Sequence, residues 1–216
     1  DPVGVVGLGL LGRGIAASLL SAGLHVIAID TQEKAQQEAR IYIEAAMSEV
    51  AKHGGSSSQE LASWAERYKT SNSMHALKTC AFVIESVLED IDVKHQVFDK
   101  IEPIIGEDVP IASNTSALPI TALQSGRKHP SRFLGMHWSE PAYSTRFLEI
   151  IRGRQTSHTA LQSAMKLGLM IGKDPCIVEQ DIPGFIANRL GYALYREAAY
   201  LLELGVGDVA TNDRAF

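Results

Sequence analysis

The stretch from Val3 to Asp30 constrains the fold more than any other. An apolar strand signal, Val3-Gly-Val-Val, runs into Gly7-Leu-Gly9-Leu-Leu-Gly12; a helical pattern follows, and a second apolar strand ends at Asp30. Gly7 permits the tight turn out of the strand, Gly9 lets the backbone approach a pyrophosphate, and Gly12 lets the first helix pack close to the sheet. The free amides at the start of that helix, which include those of Leu10 and Leu11, face phosphate charge together with the helix dipole. A glycine-rich turn alone is weak evidence and also suits a loop with no ligand. Here it follows a strand, opens a helix and has an acid about 20 residues on, which is the dinucleotide fingerprint. A carboxylate at Asp30 accepts hydrogen bonds from both ribose hydroxyls and repels a 2′-phosphate, so NAD is expected rather than NADP.

Strand and helix signals alternate along the rest of the chain, which implies a parallel sheet with helices on both faces. Strands are expected near 3–7, 25–30, 81–85, 109–113 and 132–136, with a further pair near 146–151 and 174–178. Helices are expected near 11–22, 32–53, 58–68, 92–105, 157–171 and 184–205. The segment from Gln32 to Lys52 is polar and alanine-rich, and Gly54-Gly-Ser-Ser-Ser58 breaks it before a shorter helix returns. This reads as a helical hairpin inserted after the second strand. Pro183 and Gly184 punctuate the end of the sheet, so a Rossmann-type domain is expected at 1–181 and the start of an all-helical domain at 182–216. The apolar face of the last helix is too wide to leave in water, so the chain reads as truncated or reliant on another subunit.

Composition excludes several classes. A net charge of −5, with no Lys/Arg run longer than a pair, argues against nucleic acid as a partner. No apolar run approaches the roughly 20 residues of a membrane span. Cys80 and Cys176 have no metal-ligand spacing and read as buried thiols in a reducing compartment, cytoplasmic or matrix. No metal site is expected.

Four later segments carry a resemblance: Val83-Ile-Glu85-Ser-Val-Leu-Glu89-Asp90, Ala112-Ser-Asn114-Thr-Ser116, Gly135-Met-His137-Trp-Ser-Glu-Pro141 and Pro183-Gly-Phe-Ile-Ala-Asn188-Arg189. Together with the glycine turn, and in this order, they resemble the 3-hydroxyacyl-CoA dehydrogenases over almost the whole chain. The resemblance implies an NAD-dependent interconversion of an L-3-hydroxyacyl-CoA and its 3-keto form, as in fatty-acid β-oxidation, by a homodimer that pairs through its C-terminal domain. His137 follows a strand that should end at the open edge of the sheet. A neutral imidazole there can take the hydroxyl proton as hydride leaves. The resemblance makes Glu149 the acid that holds this imidazole; read by itself, Glu149 also suits a strand-edge pair with Arg146 or Arg152. It implies further that Ser116 contacts substrate, that Asn188 helps polarise the substrate carbonyl, and that Asn114 lies near the nicotinamide end. Glu89 and Lys94 match positions at the nicotinamide ribose; without the resemblance they read as an exposed helix-start acid and a solvated lysine. Ser113 and Thr115 read as turn residues bonded to their own backbone.

One departure bears on substrate. The family usually shows His-Phe-Phe-Asn-Pro at the catalytic strand, where this chain has His137-Trp-Ser-Glu140-Pro141. A carboxylate facing the site would disfavour an anionic substrate group nearby. Relatives of this architecture act on other hydroxy compounds, including L-gulonate, and one serves as a lens crystallin, so a non-CoA substrate and a non-catalytic NAD-binding role both stay open. For coenzyme A phosphates, Lys52, Arg67 and Lys69 in the hairpin are the candidate partners, or plain solubilising charges.

Overall fold

The computed structural model describes residues 1–52, 61 and 63–215. One eight-stranded sheet organises the chain, in the order β3-β2-β1-β4-β5-β6-β7-β8. The strands are β1 Val3–Val6, β2 Val26–Ile29, β3 Tyr68–Ser71, β4 Phe82–Glu85, β5 Ile111–Ser113, β6 Phe133–Trp138, β7 Phe147–Ile151 and β8 Asp174–Val178. β1 to β6 run parallel, β7 turns antiparallel to β6, and β8 runs with β7. The helices are α1 Leu10–Ser21, α2 Glu33–Lys52, α3 Trp64–Arg67, α4 Ile91–Ile101, α5 Ile120–Leu123, α6 His158–Met170, α7 Ala187–Glu203 and α8 Val209–Ala215. The architecture is the expected doubly wound Rossmann type.

Central strands are short apolar runs because both of their faces are covered. All four residues of β1 and of β4 are buried. One face packs against α1, α2 and α6 through Ile15, Leu19, Ile43 and Leu161; the other holds Val6, Phe98, Ile120 and Phe185. In α2 the buried residues Ala39, Ile43, Ala46 and Met47 form one helical stripe, whereas Ile41 is 69% exposed.

Two expectations change here. Residues 68–71 are β3, not the end of a helix; Tyr68 pairs with Val26 and Ser71 with Ile29 along the sheet edge. The Gly54–Ser58 break and the start of the returning helix lie outside the described residues. Cys80 is buried, while Cys176 is only half-buried, and both thiols are free.

Candidate active site

β1, β2, β4, β5 and β6 all end at one edge, so the segments that follow them gather there. Gly7 leaves β1 with a φ of +92°, a conformation that glycine adopts without strain. A Cβ on Gly12 would lie 1.9 Å from the Gly7 carbonyl oxygen, so Gly12 lets α1 start against the turn itself. A Cβ on Gly9 would meet nothing within 4 Å. That open side of the turn, with no side-chain cap on the first amides of α1, fits a phosphate group. Leu10 is 52% exposed beside it, and Leu11 packs on the core. Asp30 follows β2 and accepts from the Leu8 and Gln32 amides, both at 2.8 Å. Each carboxylate oxygen keeps a lone pair, so these bonds orient Asp30 and leave it able to accept from a ribose. The residues present therefore fit a dinucleotide.

His137 on β6 stands directly opposite Glu149 on β7. Directly paired antiparallel residues share a face, so register alone brings the two side chains together. His137 Nδ1 and Glu149 Oε2 are 2.7 Å apart, and both residues are buried. This selects the tautomer with Nδ1–H donating and leaves Nε2 as the ring's acceptor. The other oxygen of Glu149 accepts the Ile186 and Ala187 amides at 2.9 and 3.0 Å, at the start of α7. Burial pushes the Glu149 carboxyl up, but the bonds from His137 and these two amides outweigh it and hold it below the ordinary glutamate value. Neither Arg146 nor Arg152 is its partner; Arg152 pairs with Glu179 at 2.9 Å. Phe185 is fully buried, with its ring centroid 5.7 Å from that of His137. Its φ of +49° is a left-handed backbone, a cost of order 1–2 kcal/mol that burial of the ring offsets.

Asn188 Nδ2 donates to the Ser116 carbonyl at 3.0 Å. The four expected catalytic residues thus lie on one chain of contacts: His137 to Glu149, Glu149 to the 186–187 amides, and Asn188 to Ser116. Asn114 spends both ends of its amide on the scaffold, donating to Ser86 Oγ at 3.0 Å and accepting the Trp138 N–H at 3.1 Å. It ties the ends of β4, β5 and β6 together. Thr115 bonds the Leu118 amide as a turn residue should, but Ser113 donates to Glu85 Oε2 at 2.6 Å instead of its own backbone.

Lys94 is not a solvated lysine. Its side chain has no accessible surface, and it pairs with Glu85 at 2.7 Å and Glu89 at 3.4 Å. Glu85 is the site residue that the motif reading passed over. The signal was present: an acid closing the buried strand Phe82-Val-Ile-Glu85 needs a cation within reach. Removing one member of such a pair costs roughly 3–5 kcal/mol.

Glu140 is exposed, and its Oε1 accepts from the Tyr42 hydroxyl of α2 at 3.1 Å, with the Arg13 guanidinium 4.7 Å above the Tyr42 ring. Burial, then this bond, pushes the Tyr42 phenol above its ordinary value. The departure from the family motif thus ties the loop after β6 to α2. Lys173, buried beneath that loop, donates to the Ala142 carbonyl and to the Thr145 carbonyl at 2.6 Å, and burial lowers it to about 8. Of the basic residues expected at coenzyme A, Lys52 pairs with Glu49 at 2.9 Å. Arg67 donates to the Leu20 carbonyl at the far end of α1, and Lys69 pairs with Ile27 near the start of β2. Arg67 and Lys69 stand at the opposite edge of the sheet from His137.

Residues 2–182 match the family described as the NAD-binding domain of 3-hydroxyacyl-CoA dehydrogenase. The chain belongs to the 3-hydroxyacyl-CoA dehydrogenase family. It carries that family's NAD-binding domain. It is 37% identical over 206 residues to 5-formyl-3-hydroxy-2-methylpyridine 4-carboxylate 5-dehydrogenase of Mesorhizobium japonicum, covering 95% of this chain and 66% of that protein. It is 34% identical to the peroxisomal bifunctional enzyme of Danio rerio over 93% of this chain and 27% of that protein. Among solved structures, (S)-3-hydroxybutyryl-CoA dehydrogenase of Ralstonia eutropha superposes with a TM-score of 0.90 at 34% identity, over 97% of this chain and 74% of that one. The chain thus spans only part of each of these relatives. Among the described residues, no helix is long and apolar enough to cross a membrane.

Proposed function

We propose that this chain oxidises the secondary hydroxyl of an L-3-hydroxyacyl-CoA to a ketone and reduces it in reverse. The observation that carries the reading is the buried His137–Glu149 pair at 2.7 Å, linked through the start of α7 to Asn188 and Ser116. His137 takes the hydroxyl proton at Nε2 while Glu149 stabilises the imidazolium that results. The Ser116 hydroxyl and the second amide hydrogen of Asn188 hold the reacting oxygen. Gly7, Gly9, Gly12, the first-turn amides of Leu10 and Leu11, Asp30 and Glu89 would hold NAD, with Lys94 behind Glu89 at the nicotinamide ribose and Asn114 framing the nicotinamide end. NAD, when bound, supplies the hydride acceptor.

His137→Ala is expected to lower turnover about 100-fold or more, within the range of general acid–base contributions. Near-normal NADH formation by that variant would refute the role. A second substrate reading has its own support: the Mesorhizobium relative is named for a pyridine substrate, and Arg67 and Lys69 lie away from the site. A groove of about 570 Å³ beside Ala117, lined by Arg189, Tyr192 and Arg196, suits an anionic group of either substrate. Comparing kcat/KM for acetoacetyl-CoA and for small free acids separates the two.

We also assign residues 182–216 to the start of a helical unit through which two copies pair. No described residue of α7 or α8 is buried, and Leu190, Tyr192 and Tyr195 are each more than 60% exposed. Sedimentation of the full-length protein as a monomer would overturn the pairing.

A further inference from the structure

Among the described residues, Lys173 is the one buried cation that no carboxylate meets. Lys94 pairs with Glu85, Arg132 with Glu102 and His137 with Glu149, each at 3.5 Å or closer. Lys173 is 6% exposed and has carbonyls for partners instead. Its ammonium donates to the Ala142 carbonyl and, at 2.6 Å, to the Thr145 carbonyl, and it lies 5.2 Å from the centroid of the Trp138 ring. Burial lowers it to about 8, so at pH 7 it still carries its charge. A buried charge with no opposite partner is a net cost to folding, and its presence points to a task other than stability.

The partners define that task. Residues 139–146 connect β6 to β7, the strands on which His137 and Glu149 stand opposite each other. A short turn ordinarily fixes the register of such a pair. This connection is long, so side chains and neighbouring strands fix it. Lys173 holds two of its carbonyls, and the Asp174 N–H holds a third, that of Arg146, at 2.8 Å. Lys173 also faces the ring of Trp138, which follows His137 directly and whose N–H donates to Asn114. On its other side the connection packs against α1, the helix that the glycine turn opens. A Cβ on Gly14 would lie 3.1 Å from the Cβ of Ala142.

We propose that Lys173 positions His137, by fixing Trp138 and the 139–146 connection against α1 so that the imidazole keeps its place between Glu149 and the dinucleotide turn. Gly14, Ala142, Lys173, Trp138 and His137 form one path of contacts from the phosphate end of the crevice to the base. Misplacing a reacting group by about 1 Å can cost 10²-fold in rate. Lys173 acts through its neighbours and is a positioning residue.

The inference rests on the role of His137 given above, and the test keeps the two apart. In the full-length protein labelled with ¹⁵N-histidine, the Nδ1–H resonance of His137 is assigned by its loss in His137→Ala. Lys173→Met keeps the length of the side chain and removes its donors. It is expected to shift or broaden that resonance and to lower kcat for acetoacetyl-CoA reduction about tenfold or more. KM and NADH affinity, the latter by fluorescence titration, should stay within about twofold of the parent. Gly14→Ala presses on Ala142 from the α1 side, with alanine the better helix former, and should disturb the same resonance without lowering the unfolding temperature. Because both changes displace one connection, adding Gly14→Ala to Lys173→Met should lower kcat by less than about twofold further. A parent-like His137 resonance in Lys173→Met overturns the proposal, as do losses that multiply in the double variant or a loss confined to KM and NADH affinity. If Lys173→Met does not fold, an undisturbed resonance in Gly14→Ala overturns it alone. The resonance needs no substrate, so a parent that leaves acetoacetyl-CoA unreduced overturns the substrate reading and not the positioning. Near-normal kcat in His137→Ala overturns the role of the base itself.

Discussion

Each oxygen of Glu149 has its own task, one at the His137 ring and one at the 186–187 amides. Glu149→Gln separates them. The amide oxygen still accepts from the α7 start, so the chain folds, but the –NH₂ cannot accept from Nδ1–H and the ring loses the tautomer it needs. The expected result is a fall in kcat of about 100-fold or more with little change in NADH affinity, measured by steady-state kinetics and fluorescence titration. The sign with pH follows from a carboxyl held below its ordinary value: its stability is fully present above the unfolded glutamate pKa and is lost as pH falls through the lowered folded value. Urea unfolding should therefore show the parent's advantage over Glu149→Gln at neutral pH shrinking in acid; a constant gap would count against a charged Glu149. His137 and Glu149 were legible as a pair only through the family resemblance; by itself Glu149 also suited Arg146 or Arg152, and it is the antiparallel register of β6 and β7 that sets it opposite His137. The burial of Lys94 was not legible. Its position in the first turn of an amphipathic helix is that of a solvated lysine, and only the parallel placement of β4 and β5 brings Glu85 and the Ser116 turn around it.

At the scale of elements, the first strand–turn–helix unit holds two glycines whose environments differ sharply. Gly12 faces the Gly7 carbonyl, so Gly12→Ala forces the turn and α1 apart. Gly9 faces open space with a φ of −64°, which alanine accepts. Gly12→Ala is expected to lower the melting temperature and abolish NADH binding together. Gly9→Ala should melt as the parent does and still lose NADH affinity about tenfold, since its methyl would occupy the space where a pyrophosphate approaches. Parent-like NADH affinity in Gly9→Ala would mean that the turn does not cradle the cofactor. This unit was readable residue by residue because turn, helix start and strand end lie within one βαβ segment. β3 was not, because Tyr68-Lys-Thr-Ser71 has no apolar run of its own; its extended form comes from the β2 edge beside it, a tertiary effect that overrides local pattern. The short α5 was missed for a related reason: four residues after a proline carry no helical period.

Across the whole molecule, punctuation and packing disagree about where the sheet unit ends. Pro183 and Gly184 mark the break in sequence, yet Phe185 is fully buried in the core beside His137, and no described residue after it is buried. The chain therefore stays integrated with the sheet until the 186–187 amides have capped Glu149. α7 and α8 add exposed apolar surface and the Asn188 contact to Ser116, but no core. A chain ended just after Arg189 should accordingly keep the full urea-unfolding free energy and bind NADH as the parent does. One ended at Asp181 should lose about 3–5 kcal/mol, the scale of deleting a buried phenylalanine, because a hole opens beside His137 and one oxygen of Glu149 loses both amide donors. If both truncations unfold alike, the boundary lies where the punctuation puts it, and Phe185 belongs energetically to the helical unit. If only the shorter one is weakened, the sheet domain includes the segment that closes over His137 and Glu149, and that pair is buried before any second domain is added.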